Sequence, residues 1–80
     1  MDLNSITPDK TLDTKGLSCP MPLLKTKKAI SQLSSGQVIE VLGTDPGSKN
    51  DMAGWCEREG HQFLGLKEDD GFFRVYMKKG

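Results

Sequence analysis

The sequence predicts a two-layer α/β domain of order β-α-β-α-β-β, an α+β sandwich with two helices on one face of a single sheet. Three observations predict it. Apolar residues recur with a helical period in two segments, at Leu23, Ala29, Ile30 and Leu33 and again at Met52, Trp55 and Cys56. A β-branched run bounded by glycines, residues 37–43, lies between them. An Asp-Gly turn signal, Asp70-Gly71, separates two further apolar runs near the end of the chain. At 80 residues the chain is one domain in size. Area scaling hides roughly 63% of the unfolded surface, which leaves a thin core.

Each element follows from its residues. Residues 1–9 hold little apolar material and include Pro8, so a loose, flexible lead-in is expected, with residues 10–80 as the single domain. Residues 10–13 are a short strand around Leu12. Gly16 then breaks the pattern, and Cys19-Pro20-Met21-Pro22 opens the first helix, since proline is tolerated where its missing N–H would have no intrahelical partner. The apolar stripe runs to Leu33, with Lys25, Lys27 and Lys28 mainly off it, and Ser34-Ser35-Gly36 ends the helix. Residues 37–43 form a central strand, joined to the first by a right-handed parallel crossover. Asp45-Pro46 reads as an N-cap and first helical residue, the second helix covering residues 46–59 with Gly60 at its cap. Residues 62–67 and 72–78 make an antiparallel hairpin in which Phe73, Val75 and Met77 alternate on one face.

Composition excludes several functions. Lys+Arg and Asp+Glu are both 11, so the basic excess of a phosphate-gripping protein is missing, and no direct nucleic-acid partner is expected. The longest uncharged stretch, residues 29–39, is too short to span a bilayer, and the opening residues lack the pattern of a secretion signal. A cytoplasmic domain with no membrane partner is the expectation. The charge is unevenly spread, however. Residues 10–28 carry five lysines against Asp13 alone, and residues 40–70 carry eight acids against three bases. Either the solvated faces simply differ, or a basic end around Cys19 steers acidic protein partners.

The segment Leu17-Ser18-Cys19-Pro20-Met21-Pro22 combines unusual chemistry with unusual backbone. A cysteine just ahead of a helix meets the positive end of the helix dipole, which favours the nucleophilic thiolate; Lys15 and Lys25 can add to this. Pro20 and Pro22 stiffen the backbone beside the sulfur. A packing role for Cys19 is the competing reading. Pro22 stands where a C-x-x-C dithiol would need its second cysteine, and His61, expected at the surface, is no evident general base. Two cysteines and one histidine are too few for a structural zinc site, and no phosphate-binding glycine loop is present, so neither metal nor cofactor is expected. A lone activated cysteine can still accept and donate sulfur as a persulfide with little acid-base help.

From about Lys10 to the end, the chain resembles the TusA/SirA family of small sulfur-transfer proteins. The resemblance rests on the ordered run from Leu12 to Cys19-Pro20-Met21-Pro22, a C-P-x-P motif after a first strand, and on Thr44-Asp45-Pro46 and the closing aromatic strand. It implies a mixed four-stranded sheet. It also implies sulfurtransferase activity, in which Cys19 takes sulfane sulfur from a cysteine desulfurase or a rhodanese-like donor and passes it to a cysteine of an acceptor protein. The family's outlets include tRNA thiolation, molybdenum cofactor synthesis and sulfur oxidation. Gly16, Pro20 and Pro22 would position the nucleophile. Lys15, Lys25, Lys27, Lys28 and Asp45 are candidate partner contacts, although Asp45 also reads as an N-cap. Cys56 reads as a packing cysteine, with a resolving thiol for Cys19 as the alternative. An adaptor domain that never holds sulfur and a Cys19-based redox sensor remain open at this stage.

Overall fold

The structure, a computed structural model, describes residues 7–18 and 21–80. Residues 1–6, most of the expected lead-in, lie outside the described residues, as do Cys19 and Pro20 at the centre of the motif. The elements are β1 (Lys10–Asp13), α1 (Met21–Ser31), β2 (Val38–Gly43), α2 (Pro46–Arg58), β3 (Gln62–Asp69) and β4 (Phe72–Lys78). The sheet is mixed, in the order β1-β2-β4-β3. β1 runs parallel to β2, with Leu12 beside Val41, while β4 lies antiparallel to both β2 and β3.

One apolar cluster lies between this sheet and its two helices. Ile39 and Val41 of β2 and Val75 and Met77 of β4 are fully buried against Met52 and Cys56 of α2, with Ala29 and Ile30 of α1 closing the layer. Burial of side chains of this size contributes about 1.5–3 kcal/mol each. The expected stripe of α1 faces the core, with Ala29 and Ile30 buried and Leu23 and Leu33 packed against the cluster; Pro22 and Thr26 are buried beside it, while Leu24 is exposed. Thr26 occupies an apolar position because its hydroxyl donates to the Pro22 carbonyl at 2.8 Å, one turn back.

Local signals set the element ends. The Asp45 carboxylate caps α2 by accepting from the amide and hydroxyl of Ser48, both at 2.9 Å. At the other end, the His61 amide donates to the Cys56 carbonyl and the Gly60 amide to that of Glu57, with Gly60 at φ 79°, the pattern of a Schellman cap. α1 stops at Ser31, and two shorter-range bonds, from Gln32 and Leu33 to Ala29 and Ile30, carry the chain through Leu33. β3 continues to Asp69, two residues beyond expectation, so that Asp70 and Gly71 alone make the turn.

Candidate functional site

Because β1 and β2 are parallel and each is followed by a returning helix, α1 and α2 both start at the end of the sheet where β1 and β2 finish. In open α/β sheets this is the end at which ligands bind. The loop after β1 is tied down there. The Thr14 amide and hydroxyl both donate to the Leu42 carbonyl, at 2.8 and 2.5 Å. The Lys15 amide donates to Asp13 Oδ1 at 2.9 Å, and the Gly16 amide to Thr44 Oγ1 at 3.0 Å. Gly16 has φ 83°, and a Cβ there would meet no atom within 4 Å. The glycine therefore answers the backbone conformation and not a lack of space. The Leu17 amide donates back to Thr14, and the Met21 amide that starts α1 donates to the Ser18 carbonyl at 2.9 Å. Chain and helix are thus ordered on both sides of the Cys19-Pro20 pair.

The other motif residues and candidate contacts take distinct places. Pro22, the second residue of α1, is buried and supplies the carbonyl that Thr26 uses. Lys15 lies with its ammonium 4.9 Å from the centre of the Phe72 ring, which the Arg74 guanidinium also approaches, at 5.3 Å. Beyond that ring, a cleft of about 220 Å³ lies among Thr44, Lys49, Glu68 and Phe72, with Lys49 paired to Glu68. Lys25 and Lys28 flank the side of α1 toward β1, where they join Lys10 around a second cleft. Lys27 lies on the opposite flank, near Trp55 and His61. The basic block of the sequence is therefore divided among three places.

The remaining titratable candidates are elsewhere. His61 follows the C-terminal end of α2, with its ring 5.5 Å from that of Trp55 and its Nδ1 accepting from the Gly80 amide. A helix of this length puts that end about 20 Å from the start of α2. Cys56 is a free, fully buried thiol whose pKa is pushed up from 9.0 to about 11, first by burial and then by neighbouring Glu57. Among the described residues, no cluster of three or more histidine, cysteine, aspartate or glutamate side chains is arranged to hold a metal ion, and no helix is long and apolar enough to cross a membrane.

Sequence reasoning gave no role to Phe72 and used Thr44 only as part of the family resemblance, yet both hold the loop before Cys19. A hydroxyl directly before the Asp45-Pro46 helix start was the available signal for Thr44. The contact of Phe72 with Lys15 depends on the hairpin folding back beside β2, which no local pattern states.

Comparison with known proteins decides the family. A family profile described as "Sulfurtransferase TusA" matches residues 10–79. The chain belongs to the TusA family of sulfur carrier proteins. It is 46% identical over 72 residues to YrkI of Bacillus subtilis, a match covering 90% of this chain and 96% of that one. It is 42% identical over 71 residues to the sulfur carrier protein TusA of Allochromatium vinosum, covering 89% and 93%. Among solved structures, a SirA-like protein from Desulfitobacterium hafniense superposes with a TM-score of 0.78 at 32% identity, covering 89% of this chain and 97% of that one.

Proposed function

We propose that this TusA-family chain is a cytoplasmic sulfurtransferase that carries sulfane sulfur as a persulfide on Cys19. Residues 10–80 form its single carrier domain and the preceding residues a short lead-in. The observation that carries this reading is the start of α1 two residues after Cys19, behind a loop pinned to Leu42 and Thr44. A cysteine just ahead of a helix start is favoured as the nucleophilic thiolate by the helix dipole.

The chemistry is two exchanges. The Cys19 thiolate attacks the outer sulfur of a donor persulfide; a new S–S bond forms, the donor's S–S bond breaks, and the donor leaves as a thiolate. An acceptor thiolate then attacks the outer sulfur on Cys19 and releases the Cys19 thiolate. No net oxidation occurs, so the carrier needs no cofactor. A cysteine desulfurase or rhodanese-like protein supplies the sulfur, and an acceptor protein with a reactive cysteine removes it. Gly16, Pro20 and Pro22 position the nucleophile. The burial of Cys56, with its thiol held protonated, argues against a resolving role.

Intact-protein mass spectrometry tests this. Reduced protein is incubated with a cysteine desulfurase and cysteine, or with thiosulfate and a rhodanese, and then mapped by peptide. The expected result is the gain of one sulfur mass on Cys19, removed by reductant, abolished in Cys19→Ser and kept in Cys56→Ser. Equal loading of the Cys19→Ser protein would overturn the assignment.

A further inference from the structure

The cleft between β1 and α1 lies outside the sulfur chemistry. It measures about 190 Å³ and is lined by Lys10, Leu12, Lys25, Lys28, Ala29 and Gln32. Leu12 and buried Ala29 give it an apolar floor, three lysines surround it, and among the described residues no acid lines it. Its outer wall is a sheet edge. Among the described residues β1 has β2 as its one strand neighbour. In a parallel ladder alternate peptide groups of a strand bond to that neighbour, so the intervening groups of β1 point outward. The side chains of Lys10 and Leu12 face the cleft, which leaves Thr11 and Asp13 to the other face of the sheet.

We propose that this edge is a docking site for an extended acidic segment of a partner protein, which adds to β1 as a fifth strand. Main-chain bonds to β1 supply affinity, and alternate side chains of the segment enter the cleft. The fitting pattern has an apolar residue over Leu12 and Ala29, with a carboxylate on each side of it facing Lys10, Lys25 and Lys28. Uncharged residues belong between these, because they face the side that already carries Asp13. Charge also selects against a second copy of this chain, since pairing β1 with β1 would set Lys10 and its companions against themselves. The cleft runs along the later turns of α1, so a segment seated there holds its owner against the helix that follows Cys19. The proposal deepens the carrier reading by naming the kind of partner, and rests on it for that partner's role.

The test uses the full chain as Cys19→Ser, so that binding is read without sulfur and its failure stays separate from a failure of sulfur loading. The probe is a capped peptide alternating threonine with glutamate, leucine and glutamate in turn; the control has lysine for glutamate. Saturable binding of the acidic peptide alone, with amide shift changes at Thr11 and Asp13 in nuclear magnetic resonance spectra, is expected. Lys25→Glu with Lys28→Glu, two exposed positions, should weaken it about tenfold, as surface attractions become repulsions. Absence of saturable binding, equal binding of the lysine peptide, or shifts confined to β3 would overturn the proposal. A concentration-dependent dimer formed through β1 would overturn it in favour of a second copy.

Discussion

The two faces of the sheet are held by different physics. On the helix-covered face, Ile39, Val41, Val75 and Met77 lie in apolar contact with Met52 and Cys56, and no direction is demanded of any of them. On the other face, Glu40 is only 8% exposed although neither α1 nor α2 covers it. Its carboxylate accepts from the Tyr76 hydroxyl at 2.6 Å and the Thr11 hydroxyl at 3.2 Å, and the Arg74 guanidinium stands 3.5 Å away, itself bound to Asp69. One carboxylate therefore links β1, β2 and β4. The difference teaches that a strand of alternating faces can be stabilised twice, by area on one side and by direction on the other.

Breaking the covered face has the largest effect. Ile39→Ala leaves a cavity among fully buried residues and should cost about 2–5 kcal/mol in urea unfolding. A loss below about 1 kcal/mol would mean that the layer collapses around the gap.

Breaking the other face costs less and sharpens the contrast. Glu40→Ala strands the Tyr76 hydroxyl and should cost about 1–3 kcal/mol, whereas Glu40→Val with Tyr76→Phe removes both partners and should recover much of it. Direction, unlike area, can be given up in pairs. Additive losses in the double variant would show that the hydrogen bond is not what holds this face.

Alkaline pH acts on both faces with a smaller, graded effect. The Cys56 thiol is raised to about 11 by burial, with Glu57 adding to it, and the Tyr76 hydroxyl is raised by burial and by its bond to Glu40. Both groups keep their protons more tightly folded than unfolded. The stability that Cys56 contributes is complete below about pH 9 and is lost as pH rises toward 11; that of Tyr76 is complete below about pH 10 and is lost above it. Urea midpoints measured across this window should fall, with a shallower slope in Cys56→Ser and in Tyr76→Phe. An unchanged slope in both variants would place the alkaline sensitivity elsewhere.

The sequence was most legible where a short-range rule operates. Asp45-Pro46, Gly60 and Asp70-Gly71 each announce a helix start, a helix end or a hairpin turn, because caps and turns are satisfied within a few residues. The C-P-x-P motif and its context likewise led to the family. The burial of Thr26 and the exposure of Leu24 on α1 were not legible. Hydrophobicity alone orders those two residues wrongly when a backbone carbonyl is at hand to satisfy the hydroxyl.

The sequence by itself determined the order of elements, their ends to within two residues, the alternation of β4 and the candidate nucleophile, since all of these depend on neighbours in the chain. Only the tertiary structure decided that β4 inserts between β2 and β3, leaving β1 at an edge, and that Glu40 meets Tyr76, Phe72 meets Lys15 and Lys10 joins Lys25 and Lys28. Those pairings join residues far apart in the chain. Sheet order, and not local propensity, brings them together.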